Sequence, residues 1–214
     1  MPIPAAPWDR LFADIKSVIP GAIDAVIRQE LWRAVEDFLY ETNAWIEEIP
    51  VIILPDITAY VVTPTSNSSL ERLMIVYDPQ HPYGARNWVH SGISFSPPDT
   101  IHLAHSPSTE TLWMAVFSKN IADPPDASGY PIFPASAEWI VDRYRDAFRY
   151  CTLAYLFMQP AKPYSNPKLA AVNSQEYVSL RARARTEINH ANVYNGQRWS
   201  FPQDYATSSR KGWT

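Results

Sequence analysis

Two histidines are the first residues whose spacing could do chemistry. His102 and His105 form an H-x-x-H pattern, which on a helix could begin a metal site. The run Ile101-His102-Leu103-Ala104 predicts a strand instead, where the two imidazoles point to opposite faces. No second pair of ligands lies near them in the sequence, so we predict no metal site.

Two further histidines, His81 and His90, flank a segment that contains Tyr83 and Arg86. A polar surface loop explains this composition. The alternative hypothesis is a hydrolase with a site in the His81, His90 and His102 region. That site would require the three imidazoles to converge in one pocket beside a carboxylate.

The single cysteine and the few glycines give no sign of an enzyme. Cys151 lies in an apolar run, which favours a small core residue over a nucleophile. The chain has six glycines and contains no G-x-S-x-G, phosphate-binding or dinucleotide-binding pattern. We therefore predict no catalytic residues and no cofactor. One cysteine also excludes an internal disulfide framework, which is typical of a chain made in a reducing cytoplasm.

Composition indicates a folded domain whose connections are stiff. Of the 214 residues, 46% are apolar and 19% are charged, which are globular values. Twenty prolines against six glycines indicate extended connections. No apolar run approaches the length of a membrane span, so we expect no membrane association.

The net charge of −4 is distributed unevenly along the chain. Residues 1–60 carry −6, residues 61–160 carry −3 and residues 161–214 carry +5. Acidic and basic ends of this kind suit a head-to-tail contact between identical copies. A chance asymmetry on solvated surfaces is the alternative.

Apolar residues recur at steps of three and four in four segments, which predicts four helices. The predicted helices cover residues 8–18, 23–42, 136–158 and 168–192. In the third helix we expect a wide buried face that includes Trp139 and Cys151. Pro160 and Pro163 are expected to end that helix and to open a turn.

Short runs rich in β-branched and aromatic residues between residues 45 and 121 predict a small antiparallel β-region. The expected strands are Ile46–Leu54, Ala59–Thr63, Leu73–Tyr77, Ile93–Ser96, Thr100–His105 and Leu112–Phe117. The predicted fold class is α+β, with this β-region inserted into a bundle of four helices. Residues 1–192 would form one domain, followed by an extended C-terminal arm at 193–214.

Three arginines in the fourth predicted helix are candidate partner-binding residues. Arg181, Arg183 and Arg185 spread over two helical faces at 100° per residue. A solvated face or a contact between subunits explains them. The alternative is a nucleic-acid-binding adaptor that uses this helix, although a pI of about 5.7 argues against it.

The C-terminal arm is rich in aromatic residues that follow neither a helical nor a strand period. Glycines and a proline interrupt it, yet segments that stay disordered are normally poor in aromatics. We therefore expect the arm to become ordered against another chain; an irregular extension over its own core is the alternative. The candidate anchors are Tyr194, Trp199, Phe201, Tyr205 and Trp213.

Several segments of the chain resemble the head-to-tail adaptor (connector) proteins of tailed phages. Two of them lie near the N-terminus: A-V-E-D-F-L at 34–39 and T-N-A-W at 42–45. The others are W-I-V-D-R-Y-R-D-A at 139–147, Q-P-A-K-P-Y-S-N at 159–166, A-R-T-E at 184–187 and R-W-S-F-P at 198–202. Residues 66–134 contain no such motif.

The resemblance implies a structural virion protein at the head-tail junction, assembled in the host cytoplasm. Such proteins form a dodecameric ring beneath the portal protein and offer a platform to the next tail component. DNA passes through the ring without sequence-specific binding. The family's C-terminal extension lies along the portal, which fits the expectation for the aromatic arm here.

Overall fold

A computed structural model of the protein describes residues 7–64, 68–79, 92–105, 108–122 and 138–191. These residues form a mixed α+β structure with four helices and two small antiparallel sheets. The helices are α1 (Pro7–Val18), α2 (Asp24–Thr42), α3 (Glu138–Met158) and α4 (Pro167–Ala191). The strands are β1 (Ile46–Ile53), β2 (Ala59–Val61), β3 (Ser68–Tyr77), β4 (Ile93–Ser96), β5 (Thr100–Leu103) and β6 (Thr111–Ile121).

The first two helices form because their apolar residues return to one face with each turn. In α1 the buried side chains are Trp8, Leu11 and Ile15, at spacings of three and four. Helix α2 ends where Asn43 takes a left-handed conformation, with a φ of 52°. The Asn43 N–H donates to the Leu39 carbonyl at 2.9 Å, which closes the last turn of the helix.

The turn between α3 and α4 is fixed by polar side chains. Asn166 opens α4 by accepting a hydrogen bond on its side-chain oxygen from the Leu169 N–H, at 3.2 Å. Gln159 donates to Glu30 of α2 at 3.0 Å and accepts from the Tyr164 hydroxyl at 2.8 Å. The segment Q-P-A-K-P-Y-S-N therefore builds this turn and ties it to α2.

All four helices contribute to one apolar core. At the centre of this core, the Phe38 ring meets the Phe148 ring edge to face, with 4.9 Å between the ring centres. The centre of the Tyr144 ring lies 5.0 Å from the centre of the Phe38 ring. The predicted buried face of α3 is confirmed for Cys151, but the expectation for Trp139 was wrong, because that side chain is 49% exposed. Trp139 lies in the first turn of the helix, where fewer neighbours can cover it.

The six strands lie where they were expected, in two three-stranded antiparallel sheets. Sheet A has the order β1-β6-β3, and sheet B has the order β2-β5-β4. Strands β3 and β6 are longer than predicted, since β3 begins at Ser68 and β6 continues to Ile121. The polar run Ser118-Lys119-Asn120 hid the end of β6 from a hydropathy pattern, although the structure buries all three residues.

The inward side chains of both sheets form a second core. Strand β1 alternates regularly, with Ile49, Val51 and Ile53 buried between the sheets. The Phe95 ring of sheet B lies 5.1 Å from the Phe117 ring of sheet A, which joins the two layers.

A buried ion pair lies where the two cores meet. The Lys119 ammonium is 2.8 Å from a Glu47 carboxylate oxygen, and the two side chains are only 3% and 10% exposed. The same ammonium lies 4.4 Å from the centre of the Trp45 ring. Trp45, just before β1, and Ile121, at the end of β6, both belong to the helical core. The Lys119–Glu47 ion pair therefore connects this end of sheet A to the helices.

Candidate functional site

A charged cleft with a volume of about 850 Å³ lies between α1, α3 and α4. Helix α1 contributes Asp14 to its lining. The remaining lining residues come from α3 and α4: Asp142, Arg143, Tyr144, Arg145, Asp146, Ala147, Arg149, Leu180, Arg183, Ala184 and Glu187. Four arginines and four acids therefore meet in one place, which suits a contact with another charged surface.

Two partly exposed ion pairs join the three helices across the cleft. Arg143 of α3 pairs with Glu187 of α4, and Arg145 of α3 pairs with Asp14 of α1. The two arginines are two residues apart on a helix, so they point to opposite sides and reach different neighbours. The hydrogen bond to Glu187 raises the pKa of Arg143, which therefore stays charged.

Tyr144 lines the cleft and also packs against the helical core. Its backbone departs from helical geometry, with a φ of −115° and a ψ of 25°, which introduces a kink into α3. Its ring packs on Phe38, and burial raises the pKa of its hydroxyl group. Because the Tyr144 ring packs into the core, it fixes the backbone position from which Arg143 and Arg145 extend.

Several charged groups of the cleft have no ion-pair partner among the residues that the structure describes. Asp142, Asp146 and Arg183 are exposed, and no described residue forms an ion pair with them. The Nε of Arg149 is buried and has no hydrogen-bond partner in the described ranges. The cleft thus presents both signs of charge to an incoming surface.

The three arginines predicted to bind partners lie in three different settings. Arg181 turns towards α2, where its guanidinium is 4.0 Å from an Asp37 carboxylate oxygen and 5.4 Å from the centre of the Tyr177 ring. The Tyr177 hydroxyl donates to that same oxygen at 2.7 Å. Arg183 lines the cleft, and Arg185 is exposed outside it. Within the described chain, only Arg183 of the three faces the charged recess.

The aromatic side chains of the predicted arm lie outside the residues that the structure describes. These are Tyr194, Trp199, Phe201, Tyr205 and Trp213. Helix α4 reaches Ala191, so the arm follows directly from its end.

Of the four histidines considered as site residues, the structure describes only His102 and His105. His102 lies on β5 with an exposed side chain, and His105 is also exposed, just after that strand. His81 and His90 lie outside the described residues. Within the described ranges, no three His, Cys, Asp or Glu side chains are grouped closely enough to hold a metal ion.

Cys151 is a core residue with an unreactive thiol. The side chain is 1% exposed, and burial raises the pKa of the thiol to about 12. At neutral pH the thiol is therefore protonated and a poor nucleophile.

The cleft is a site that was not predicted from the sequence. Arg143, Arg145 and Glu187 were noted only as members of longer sequence segments, and nothing in their spacing showed that they meet. Asp14 was not singled out at all. The available signal was the alternation of acids and arginines over residues 142–146, which places charge on several faces of one helix.

Comparison with known proteins adds no relative. No protein-family model matches the chain, and no curated protein matches it. In the described part of the molecule, no helix is both long enough and apolar enough to cross a bilayer.

Proposed function

We propose that this protein is the head-to-tail adaptor of a tailed-phage virion. Copies of the chain form a ring, a dodecamer by the resemblance, beneath the portal protein and carry the next tail component. The ring continues the channel through which DNA leaves the head, without sequence-specific binding. The protein is assembled in the host cytoplasm and resides at the head-tail junction.

The proposal includes a finer architecture than the α+β class. The four helices act as a bundle, the β-region is an insertion between α2 and α3, and residues 193–214 extend as an arm. The core shared by all four helices supports the first point. The second core within the β-region supports treating that region as an insertion with its own packing.

The observation that carries the proposal is the meeting of two distant adaptor-like segments in the charged cleft. The segments at 139–147 and 184–187 are joined by the ion pair between Arg143 and Glu187. The segment at 159–166 forms the turn between the same two helices. Three separate parts of the resemblance thus serve one pair of helices, because the ion pair joins the start of α3 to the end of α4 and the turn joins their other two ends.

The cleft is proposed as a contact between neighbouring copies of the ring. Asp142, Asp146 and Arg183 offer both signs of charge to a neighbour, which suits a head-to-tail contact between identical chains. The exposed Arg185 and the arm aromatics are proposed to bind the portal protein. Arg181 supports this surface by fixing α4 against α2 through Asp37.

Reversing the charge of Arg183 tests the contact between copies. Exposed ion pairs are each worth about 0–1 kcal/mol, and reversal replaces attraction by repulsion, so we expect Arg183→Glu to raise the concentration needed for ring assembly about tenfold. Assembly is followed by light scattering with and without portal protein. Thermal stability should change little, because Arg183 is exposed.

The matched control is Lys168→Glu, which makes the same change of charge at an exposed position at the other end of α4. This variant should assemble like the natural chain. Equal effects of the two substitutions would contradict a specific role for the cleft and would indicate a response to net charge alone.

A further inference from the structure

The outer face of sheet A is apolar at the end that lies away from the helices. The cross-strand register places Ile52 beside Leu112, and places Pro50 and Tyr77 on either side of Met114. These side chains point away from the core between the sheets, because the residues that alternate with them are buried there. A sheet with one solvated face normally carries polar residues on that face, so this pattern is unusual.

Helix α2 covers only the half of this face nearest the helices. The Asn120 side-chain amide donates to the Glu36 carbonyl of α2 at 3.3 Å. The Arg72 guanidinium lies 5.7 Å from the centre of the Tyr40 ring, also on α2. Val116, close to this covered half, is fully buried.

The far half of the face is open among the residues that the structure describes. Ile52 and Leu112 lie side by side on neighbouring strands, yet their side chains are 58% and 38% exposed. Two adjacent apolar side chains on a sheet are normally covered by another element. Both residues line a shallow recess of about 340 Å³. We refer to Pro50, Ile52, Tyr77, Leu112 and Met114 as the open sheet face.

Acidic side chains frame the open sheet face. Asp78 and Glu110 line the recess beside Ile52 and Leu112, and no described lysine or arginine lines it. Glu48 accepts a hydrogen bond from the Tyr77 hydroxyl at 3.1 Å, which places a third carboxylate at the border. An apolar surface framed in this way favours an occupant that is both aromatic and basic.

The occupant is expected to lie across the face rather than to extend the sheet. β1 is an edge strand of sheet A, and Pro50 in its middle has no N–H to donate to a further strand. The apolar side chains of the face therefore provide the contact.

We propose that, in the free chain, the open sheet face holds the C-terminal arm of the same molecule, residues 193–214. The arm contains five large aromatic residues, together with three basic residues and one acidic residue. Each aromatic side chain can bury roughly 150–250 Å². The aromatic residues of the arm therefore suit the apolar surface of the open sheet face, and the basic residues of the arm suit its acidic border.

The arm leaves the helices at the end where the β-region begins. Tyr177 and Arg181 of α4 contact Asp37 of α2, while the turn that precedes α4 contacts Glu30. Helices α2 and α4 therefore run in the same direction, and Ala191 lies towards the end of α2 from which β1 starts. An extended segment of 22 residues reaches about 70 Å, which is ample for a sheet whose strands span roughly 35 Å.

This contact is an intramolecular interaction that does not depend on a virion role. If the proposed function holds, the portal protein competes with the open sheet face for the arm. The free chain would then shield its aromatic residues until a portal is present, which would limit premature association.

Thiol labelling of the full-length chain tests the contact. Ile52→Cys places a thiol on the open sheet face, and the native Cys151 will not compete, because it is buried and its pKa is raised to about 12. Labelling by a small maleimide is timed in the chain with its natural arm. It is then timed in a chain whose five arm aromatics are replaced by serine.

We expect labelling at Ile52→Cys to be at least tenfold slower with the natural arm. The control is Val61→Cys on β2 of sheet B, where the side chain is 72% exposed and lies away from the open sheet face. Its rate should not depend on the arm. Circular dichroism should show the same fold in all four chains.

Two outcomes would overturn the proposal. Equal labelling rates at Ile52→Cys in the chain with the natural arm and in the chain with the serine-substituted arm would show that the arm does not cover the face. This holds whether the shared rate is fast or slow. Protection that rises with protein concentration would show that the arm comes from a second copy. The comparison of the two arms does not bear on the ring, because it is made at concentrations where light scattering shows a monomer, and the concentration is raised only for the second measurement.

Discussion

Replacing Lys119 by methionine is expected to lower the free energy of unfolding by about 3–5 kcal/mol, because it leaves a buried carboxylate without its cation. Lys119 and Glu47 are 3% and 10% exposed, so water cannot take the place of the ammonium group. Methionine has nearly the same length, so packing against Trp45 is largely kept. Urea unfolding followed by tryptophan fluorescence measures the change.

The double variant Glu47→Gln with Lys119→Met separates charge from packing. Removing both charges should recover most of the lost stability, since a buried pair adds little beyond an uncharged pair of similar volume. The exposed Lys162→Met serves as a control and should change stability by less than about 0.5 kcal/mol. A small effect of Lys119→Met alone would contradict the assignment of this pair as the buried link between the two cores.

Ending the chain after Asn192 is expected to abolish incorporation beneath the portal protein while leaving a folded domain. The removed arm carries five aromatic residues, each able to bury roughly 150–250 Å² on a partner, and a ring multiplies this contact by its copy number. Co-sedimentation with portal protein measures incorporation, and circular dichroism measures folding.

Full-length variants make this test more specific. Trp199 and Phe201 follow the end of α4 closely and precede Pro202, so we expect Trp199→Ala with Phe201→Ala to lose most of the binding. Ser208→Ala with Ser209→Ala is the control in the same arm and should bind normally. Unfolding of the shortened chain would show that the arm is part of its own core, and normal incorporation would place the anchoring elsewhere.

The positions of the helices and strands could be predicted because they depend on local periodicity. Leu11 and Ile15 share a face by spacing alone, and Ile49, Val51 and Ile53 alternate as a strand must. Trp139 was misplaced because periodicity assigns a face but does not reveal whether a neighbour covers it.

The cleft could not be predicted, because its contacts join residues far apart in the chain. Arg143 and Glu187 are 44 residues apart, and Arg145 and Asp14 are 131 residues apart. Which acid meets which arginine depends on how three helices pack, and no local pattern contains that information. Lys119 was overlooked for the same reason, since its partner Glu47 lies on a different strand.

The mass of the assembled protein tests the central claim most directly. Native mass spectrometry of the purified chain, alone and mixed with portal protein, measures how many copies associate. The proposed ring predicts a closed assembly of twelve 24.3 kDa chains, about 292 kDa in total, either free or bound to the portal. A chain that stays a monomer alone and with portal protein would contradict the adaptor function.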